Sequence, residues 1–279
     1  MINDELDLVE IRLHTLEPFV EKFVIVESDR THSGKPKPLH FLLNAARFKQ
    51  FLPKIMYYQY QGFPTSDGTG AWGNENAQRD KFLEALKIER PSDGICHVSD
   101  ADEIPSPEKL LDAKQIAMQT GVPVALSLRY CMYYLNYVLE VPSRGSFVYN
   151  PDTAAAFHMR WGQPNHSPTM IRWHVNAPGC EGEFPNVLDA GWDFSALGSV
   201  DDLMKKIASC AHVEFDTPEI NSKANLQKSI EDGKLYFANW FDCFQGTSGG
   251  KTLTLTKQDL AFLPTYVQQN LEKFQKYIL

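Results

Sequence analysis

Three short apolar runs set the frame for this chain. Residues 23–26, 55–60 and 95–99 are too short for helices, and their Val, Ile, Phe and Tyr content suits buried strands. Helical patterns lie around them. Leu6, Val9, Leu13 and Leu16 recur along one helix face behind a candidate cap at Asn3, and residues 39–51 and about 76–87 read as two more helices. Strand, helix, strand, helix, strand predicts an α/β fold with a mostly parallel central sheet flanked by helices. Ligands of such sheets bind beyond the carboxyl ends of the strands. Two of those ends carry Glu27-Ser28-Asp29 and Asp100-Ala101-Asp102.

Downstream, residues 124–135 predict a long strand. Ser106-Pro107 opens a helix reaching about residue 118, with serine as N-cap and proline at the first helical position. Residues 157–161 and 169–173 are expected to pair as a hairpin around 162–168. Residues 62–73, rich in Gly, Ser, Thr and Asp, read as a mobile loop, and 178–185 as another loop. Residues 203–208 and 226–230 read as helical, and 266–278 as a closing helix. No repeat and no linker interrupts the 279 residues, so one domain is expected.

Charge and cysteines narrow the setting. A net charge of −8 with no Lys/Arg run argues against nucleic acid or an anionic membrane as partner. An acidic protein that handles an anionic nucleotide needs a bridging cation. No stretch approaches the about 20 apolar residues of a membrane span. Asp4, Glu5 and Asp7 follow Met1 too closely for a signal peptide. Five scattered cysteines without a C-x-x-C pair read as free thiols in a reducing compartment, which predicts a cytoplasmic protein.

The most informative stretch is Ser99-Asp100-Ala101-Asp102-Glu103-Ile104-Pro105. In extended backbone Asp100 and Asp102 share a face. Two close carboxylates repel unless a cation sits between them. Their hard oxygens suit Mn²⁺ or Mg²⁺, which can bridge a diphosphate and stabilise a nucleotide leaving group. The plain alternative is a solvated turn. Helix capping is no alternative, because Ser106-Pro107 already caps the helix that follows.

Taken together, several segments resemble glycosyltransferase family 17: Asn3-Asp4-Glu5-Leu6-Asp7-Leu8 with Glu10-Ile11-Arg12-Leu13, Phe23-Val24-Ile25-Val26-Glu27-Ser28, Thr31-His32-Ser33-Gly34-Lys35-Pro36-Lys37-Pro38, Gln78-Arg79-Asp80 and the Asp100–Pro105 stretch. A weaker likeness covers Gly191-Trp192 and Ser209-Cys210-Ala211-His212-Val213-Glu214. The resemblance implies a GT-A-type nucleotide-sugar fold, an inverting mechanism, a UDP-sugar donor carrying N-acetylglucosamine, a glycan or glycoconjugate acceptor and a divalent metal. It divides the single domain into a nucleotide-binding part, about 1–120, and an acceptor-side part, about 121–279. His212 is the late metal ligand by resemblance, although a histidine near a helix end is also favoured by the helix dipole. The family usually has His where this chain has Asp193.

Other residues are weighed against plain alternatives. Glu27, Ser28 and Asp29 meet the nucleotide or form an ordinary polar loop. Lys35 and Lys37 face the diphosphate or are solvated. Arg79 binds a phosphate bidentately or pairs with Glu75 or Asp80. His158, His166 and His174 lack tight metal spacing. Trp72, Trp161, Trp173 and Trp192 offer sugar platforms or serve as core residues. Inverting transfer needs a base on the acceptor hydroxyl. Asp193, in its Gly-Trp-Asp segment, is the first candidate, with a metal-ligand role as its alternative, and Glu183 is the reserve. Competing functions are a metal-independent glycosidase, a nucleotidyltransferase and a non-catalytic carbohydrate-binding domain.

Overall fold

The computed structural model describes residues 1–63, 70–153, 167–176, 182–237 and 253–279. Helix α1 (Leu6–Leu16) packs the face its spacing predicts, Val9, Leu13 and Leu16 with a partly buried Leu6, into one core cluster, and it also buries Leu8 and Ile11 in a second cluster. Strand β1 (Phe23–Ser28) pairs in parallel with β2 (Ile55–Tyr60), and the two form a small sheet of their own. The single helix expected over 39–51 is instead α2 (His40–Leu43) followed by 3₁₀ turns at Ala45–Phe48 and Leu52–Lys54. Asn44 interrupts it: its side-chain amide donates to the His40 carbonyl at 2.8 Å and competes with the helical ladder.

Helices α3 (Ala71–Asp80) and α4 (Phe82–Ile88) replace the one helix expected over 76–87. The expected loop over 62–73 therefore ends at Ala71, and Gly73 is helical; residues 64–69 lie outside the described residues. Strand β3 (Cys96–Val98) leads through a turn to β4 (Glu103–Pro105) and α5 (Pro107–Thr120). Helix α5 stops at Gly121, whose φ of +71° suits glycine. Its buried face, Leu110, Ala113 and Ala117, joins the core formed by β5 (Val124–Met132), Phe41, Phe48 and α1.

Among the described residues the larger sheet has eight strands, with β5 as its spine. Along one edge β5 runs antiparallel to β7 (Ser143–Tyr149) and β6 (Tyr137–Leu139). Along the other it runs parallel to β8 (Asn186–Val187) and β9 (Gly191–Ser195). The periphery is antiparallel: β3 on β7, β4 on β9, and β10 (Leu255–Lys257) on β6. The α/β class holds, but the mostly parallel sheet does not. The connection at 133–136 is one reason: a parallel crossover needs about a dozen residues or more, so β6 turns straight back on β5, and β7 continues in the direction of β6 along the same edge. β1 does not pair with β3 either; a cavity of about 260 Å³, walled by Leu13, Leu16, Val26, Cys96 and Val98, separates them.

Two later elements differ from expectation. Residues 169–173 belong to helix α6 (Pro168–Asn176), not to a hairpin; the partner segment 157–161 lies outside the described residues. The Ser167 hydroxyl accepts from the Met170 amide at 3.2 Å and Pro168 takes the first helical position; α5 opens on the same Ser-Pro pair, but the Ser106 side chain makes no capping bond. The closing helix is broken into Thr265–Gln269 and Leu271–Phe274 at Asn270, whose side chain donates to the Tyr266 carbonyl at 2.8 Å. Helices α7 (Val200–Ser209) and α8 (Lys223–Glu231) lie where expected. Cys96, Cys131 and Cys210 are free thiols, whereas Cys180 and Cys243 lie outside the described residues. No helix among the described residues is long and apolar enough to cross a membrane.

The β4–β9 pair brings together the residues that matter below, and Gly191 permits it. Its φ is +140°, and a Cβ there would stand 2.3 Å from the Ile104 carbonyl oxygen and 2.6 Å from Pro105 Cα. Gly191→Ala is expected to lower folding stability by at least about 2 kcal/mol, read as a fall in the midpoint of urea unfolding.

Candidate active site

Beyond β3 the backbone does not stay extended. The Glu103 amide donates to the Asp100 carbonyl at 3.2 Å, and the Asp100 amide donates to Glu103 Oε2 at 2.9 Å, closing a tight turn. From α1, Arg12 Nη1 donates to the carbonyls of Asp100 and Glu103 at 3.3 and 2.7 Å. The shared face expected for Asp100 and Asp102 is therefore absent, and each carboxylate meets its own cation. The chain has to reverse here to lay β4 against β9, and reversal separates positions that an extended strand would align.

Asp100 lies between two arginines. Its Oδ1 is 3.4 Å from Arg79 and its Oδ2 is 2.8 Å from Arg172. Arg172 also grips Glu103 bidentately, with both bonds at 2.8 Å. Burial alone would raise the Asp100 carboxyl, but Arg172 and Arg79 outweigh it and hold it far below the usual range. For Glu103, 3% exposed, burial wins and raises the carboxyl despite Arg172, with the Asp100 charge adding to the rise. Arg79 extends the network through Glu75, at 2.7 Å, to His32, whose Nδ1 is 3.5 Å from Glu75.

Asp102 has a different partner. Its Oδ2 is 2.9 Å from Lys206 Nζ on α7. Burial opposes the lysine charge, but Asp102 and then Glu5 outweigh it and raise the ammonium's pKa. Asp100, Asp102 and Lys206 line a cavity of about 160 Å³ together with Arg30, His32, Lys37 and Glu75. The cavity mixes carboxylates with cations and lies at the carboxyl end of β3, where an α/β sheet is expected to bind ligands.

Beside the turn, Glu103, Asp193 and Tyr130 stand in register across β4, β9 and β5. Asp193 is 8% exposed and lines neither cavity, standing beside the turn that carries Asp102. Burial, then the charges of Asp102 and Glu103, push its carboxyl well above the usual range, opposed by a hydrogen bond from Ser143.

The remaining sequence candidates are placed as follows. Arg79 is buried and directed to Glu75 and Asp100. Glu27 is fully buried and lines neither cavity: it accepts from the amides of Phe41 and Leu42 at 2.8 and 3.2 Å and from the Tyr57 hydroxyl at 2.9 Å. The Ser28 hydroxyl accepts from the Arg30 amide. Lys35 reaches outward to the Ala208 carbonyl and Asp216, while Lys37 lines the cavity. His212 pairs with Glu214 at 2.7 Å and stacks on Phe215, outside the cavity wall. Glu183 is exposed in a turn and lines neither cavity. Trp192 is a core residue that donates to the Phe262 carbonyl. Trp72 and Trp173 lie 5.8 Å apart, with Trp173 half exposed. Trp161, His158 and His166 lie outside the described residues.

Four residues of this network are not among the site candidates the sequence offers: Arg12, Glu103, Arg172 and Lys206. Arg172 had a readable signal, the Ser167-Pro168 helix start, which puts it on a rigid helix rather than a hairpin.

A divalent cation fits at Asp102 better than at Asp100. Both Asp100 oxygens face guanidiniums, whereas Asp102 meets Lys206 through Oδ2. Among the described residues no group of three His, Cys, Asp or Glu side chains is arranged around a common centre. Magnesium-like ions rarely need one, since they bind through one or two carboxylates with substrate phosphates and water completing the shell.

Residues 1–171 match the model of glycosyltransferase family 17. The chain is similar to β-1,4-mannosyl-glycoprotein 4-β-N-acetylglucosaminyltransferase from Homo sapiens, 31% identical over 304 residues that cover all of this chain and 54% of that protein. It is similar to the protein of the same name from Rattus norvegicus, 32% identical over 307 residues, with 53% of that protein covered. The chain thus spans about half the length of these relatives. No solved structure matches it.

Removing Arg172 leaves Glu103 buried beside Asp100 without its countercharge. Arg172→Met is expected to cost about 3–5 kcal/mol, measured by chemical denaturation. Adding Glu103→Gln to it should recover part of that loss, because the stranded charge is then gone.

Proposed function

Since the chain belongs to glycosyltransferase family 17, we propose that it transfers N-acetylglucosamine from a UDP-sugar to a hydroxyl of a glycan or glycoconjugate, with inversion at the anomeric carbon. The observation that carries this reading is the cavity in which Asp100 and Asp102 share walls with Arg30, His32, Lys37 and Lys206. A nucleoside diphosphate needs cationic and hydrogen-bonding groups of this kind, arranged around a carboxylate that can hold a metal. The metal-ligand role goes to Asp102, with Mn²⁺ or Mg²⁺ screening the charge that gathers on the departing diphosphate. Asp100 keeps the turn in place through its two arginines. The free thiols at Cys96, Cys131 and Cys210 favour a reducing, cytoplasmic setting.

In this reaction the acceptor oxygen bonds to the anomeric carbon while the bond from that carbon to the β-phosphate oxygen breaks. The electron pair leaves on UDP, and the hydroxyl proton passes to a base. Asp193 is our candidate for that base. Burial and its two acidic neighbours raise its proton affinity, and a carboxylate with raised proton affinity is a stronger base.

The reading is tested by incubating the protein with UDP-N-acetylglucosamine, Mn²⁺ and a panel of glycan acceptors. UDP release together with acceptor extension is expected, and EDTA or Asp102→Asn should abolish both. Free sugar released without nucleotide, unaffected by EDTA, would instead support a glycosidase.

Asp193→Asn carries a two-part expectation. Turnover should fall by roughly 10²–10⁴-fold while UDP and Mn²⁺ affinities hold; a parallel loss of Mn²⁺ affinity would make Asp193 a ligand. Stability should move the other way. The native carboxyl titrates above the ordinary 3.8, so between those values the native state keeps a proton that the unfolded chain releases, and wild-type stability falls as pH rises. Asn has no such slope. In metal-free buffer the melting temperature of Asp193→Asn should gain on wild type as pH is raised above the ordinary 3.8.

A further inference from the structure

Lys206 stands on a fixed platform but has a movable head. Helix α7 starts in a capping box: Ser199 Oγ accepts from the Asp202 amide at 3.3 Å, and Asp202 Oδ2 accepts from the Ser199 amide at 3.0 Å. Leu203 and Ile207, 1% and 2% exposed, anchor the helix in the core on either side of Lys206. The backbone of residue 206 is thus held firmly. Its side chain is 29% exposed and reaches the cavity wall, with Nζ 2.9 Å from Asp102 Oδ2.

The two aspartates of the turn are neutralised by different chemistry. Asp100 faces two planar guanidiniums, and Arg172 is locked in place by its bidentate grip on Glu103. Asp102 faces an ammonium, a compact charge on a flexible stem. Arginine suits a pairing that must not change, whereas lysine can let go. A divalent cation and an ammonium cannot share one carboxylate at close range without strong mutual repulsion. A cation that binds Asp102 therefore weakens the Asp102–Lys206 pair, and an arriving diphosphate supplies the negative charge to which the loosened ammonium can turn.

We propose that Lys206 is an exchangeable donor-binding residue: it neutralises Asp102 before the donor arrives, and it turns to the diphosphate of the nucleotide sugar when a divalent cation takes that carboxylate. This assignment rests on the nucleotide-sugar reading of the cavity. It makes Lys206 a competitor of the metal and a partner of the nucleotide, so removing it has opposite effects on the two ligands.

Calorimetric titration of the full 279-residue chain separates the possibilities, with Mn²⁺ alone and then UDP at saturating Mn²⁺. In K206M, Mn²⁺ alone is expected to bind more tightly than in wild type, and UDP about tenfold or more weakly. K206R preserves the charge whether or not K206M folds. Its two-donor grip on Asp102 is expected to weaken Mn²⁺ binding relative to wild type. A lysine with only a structural role would instead make both affinities of K206M fall together. That outcome, unchanged affinities in K206M, or unchanged Mn²⁺ binding in K206R, overturns the assignment while leaving the cavity's function standing. Wild-type protein that binds neither Mn²⁺ nor UDP overturns both.

Discussion

A half-buried guanidinium, that of Arg172, holds this site together. It reaches from α6 to grip Glu103 with two bonds and Asp100 with a third. Glu103 in turn accepts the Asp100 amide, and Arg12 fastens the carbonyls on the other side of the turn. The carboxylate turn is therefore a product of long-range contacts from α1 and α6, not of the local sequence alone. A buried pair of this kind adds little net stability compared with a well-packed apolar core, and its value lies in fixing one arrangement rather than several. Here the fixed arrangement is a reversal that seats β4 beside β9 and brings Glu103 next to Asp193.

That seating concentrates negative charge. Asp100, Asp102, Glu103 and Asp193 lie within two strands and a turn, opposed by Arg12, Arg79, Arg172 and Lys206. The balance is uneven. Asp100 has two arginines and Asp102 one lysine, whereas at Asp193 burial and the charges of Asp102 and Glu103 outweigh the pull of Lys206, so its proton affinity rises. Uneven neutralisation is a common way for one site to hold carboxyl groups in different protonation states. The same unevenness is destabilising, as expected where residues are kept for chemistry rather than for folding.

Much of this was legible in the sequence, and the limits have physical reasons. The α1 face, β1, β2 and the position of β3 followed from hydrophobic period and length. The importance of the Asp100–Glu103 stretch followed from an apolar run ending in carboxylates. The first three strands read as parallel, but the sheet is mixed, because the short connection after β5 excludes a crossover. Helices were read too long wherever an asparagine, Asn44 or Asn270, turns its side chain onto the backbone. The extended D-x-D geometry failed because the reversal is imposed by Arg12 and Glu103, one of them 88 residues from Asp100. Glu27 shows the converse limit: a carboxylate at a strand end is equally well used to receive the first amides of a following helix. Only three-dimensional context separates those uses.

The contrast between Asp100 and Asp102 bears on how such a site can work at all. A donor that arrives as a metal–diphosphate complex has to displace whatever neutralised the metal's carboxylate beforehand. Were both aspartates locked by arginine forks, that displacement would break charge-assisted bonds in a partly buried wall, and binding would be opposed by the very contacts that shape the turn. Were neither paired, the carboxylates would repel and the turn would be held less firmly. Dividing the roles resolves the conflict: Asp100 is committed to architecture, and Asp102 keeps a partner that is strong enough to neutralise it and loose enough to leave. Two residues apart in sequence, they can differ this much because the intervening turn directs one toward α3 and α6 and the other toward α7.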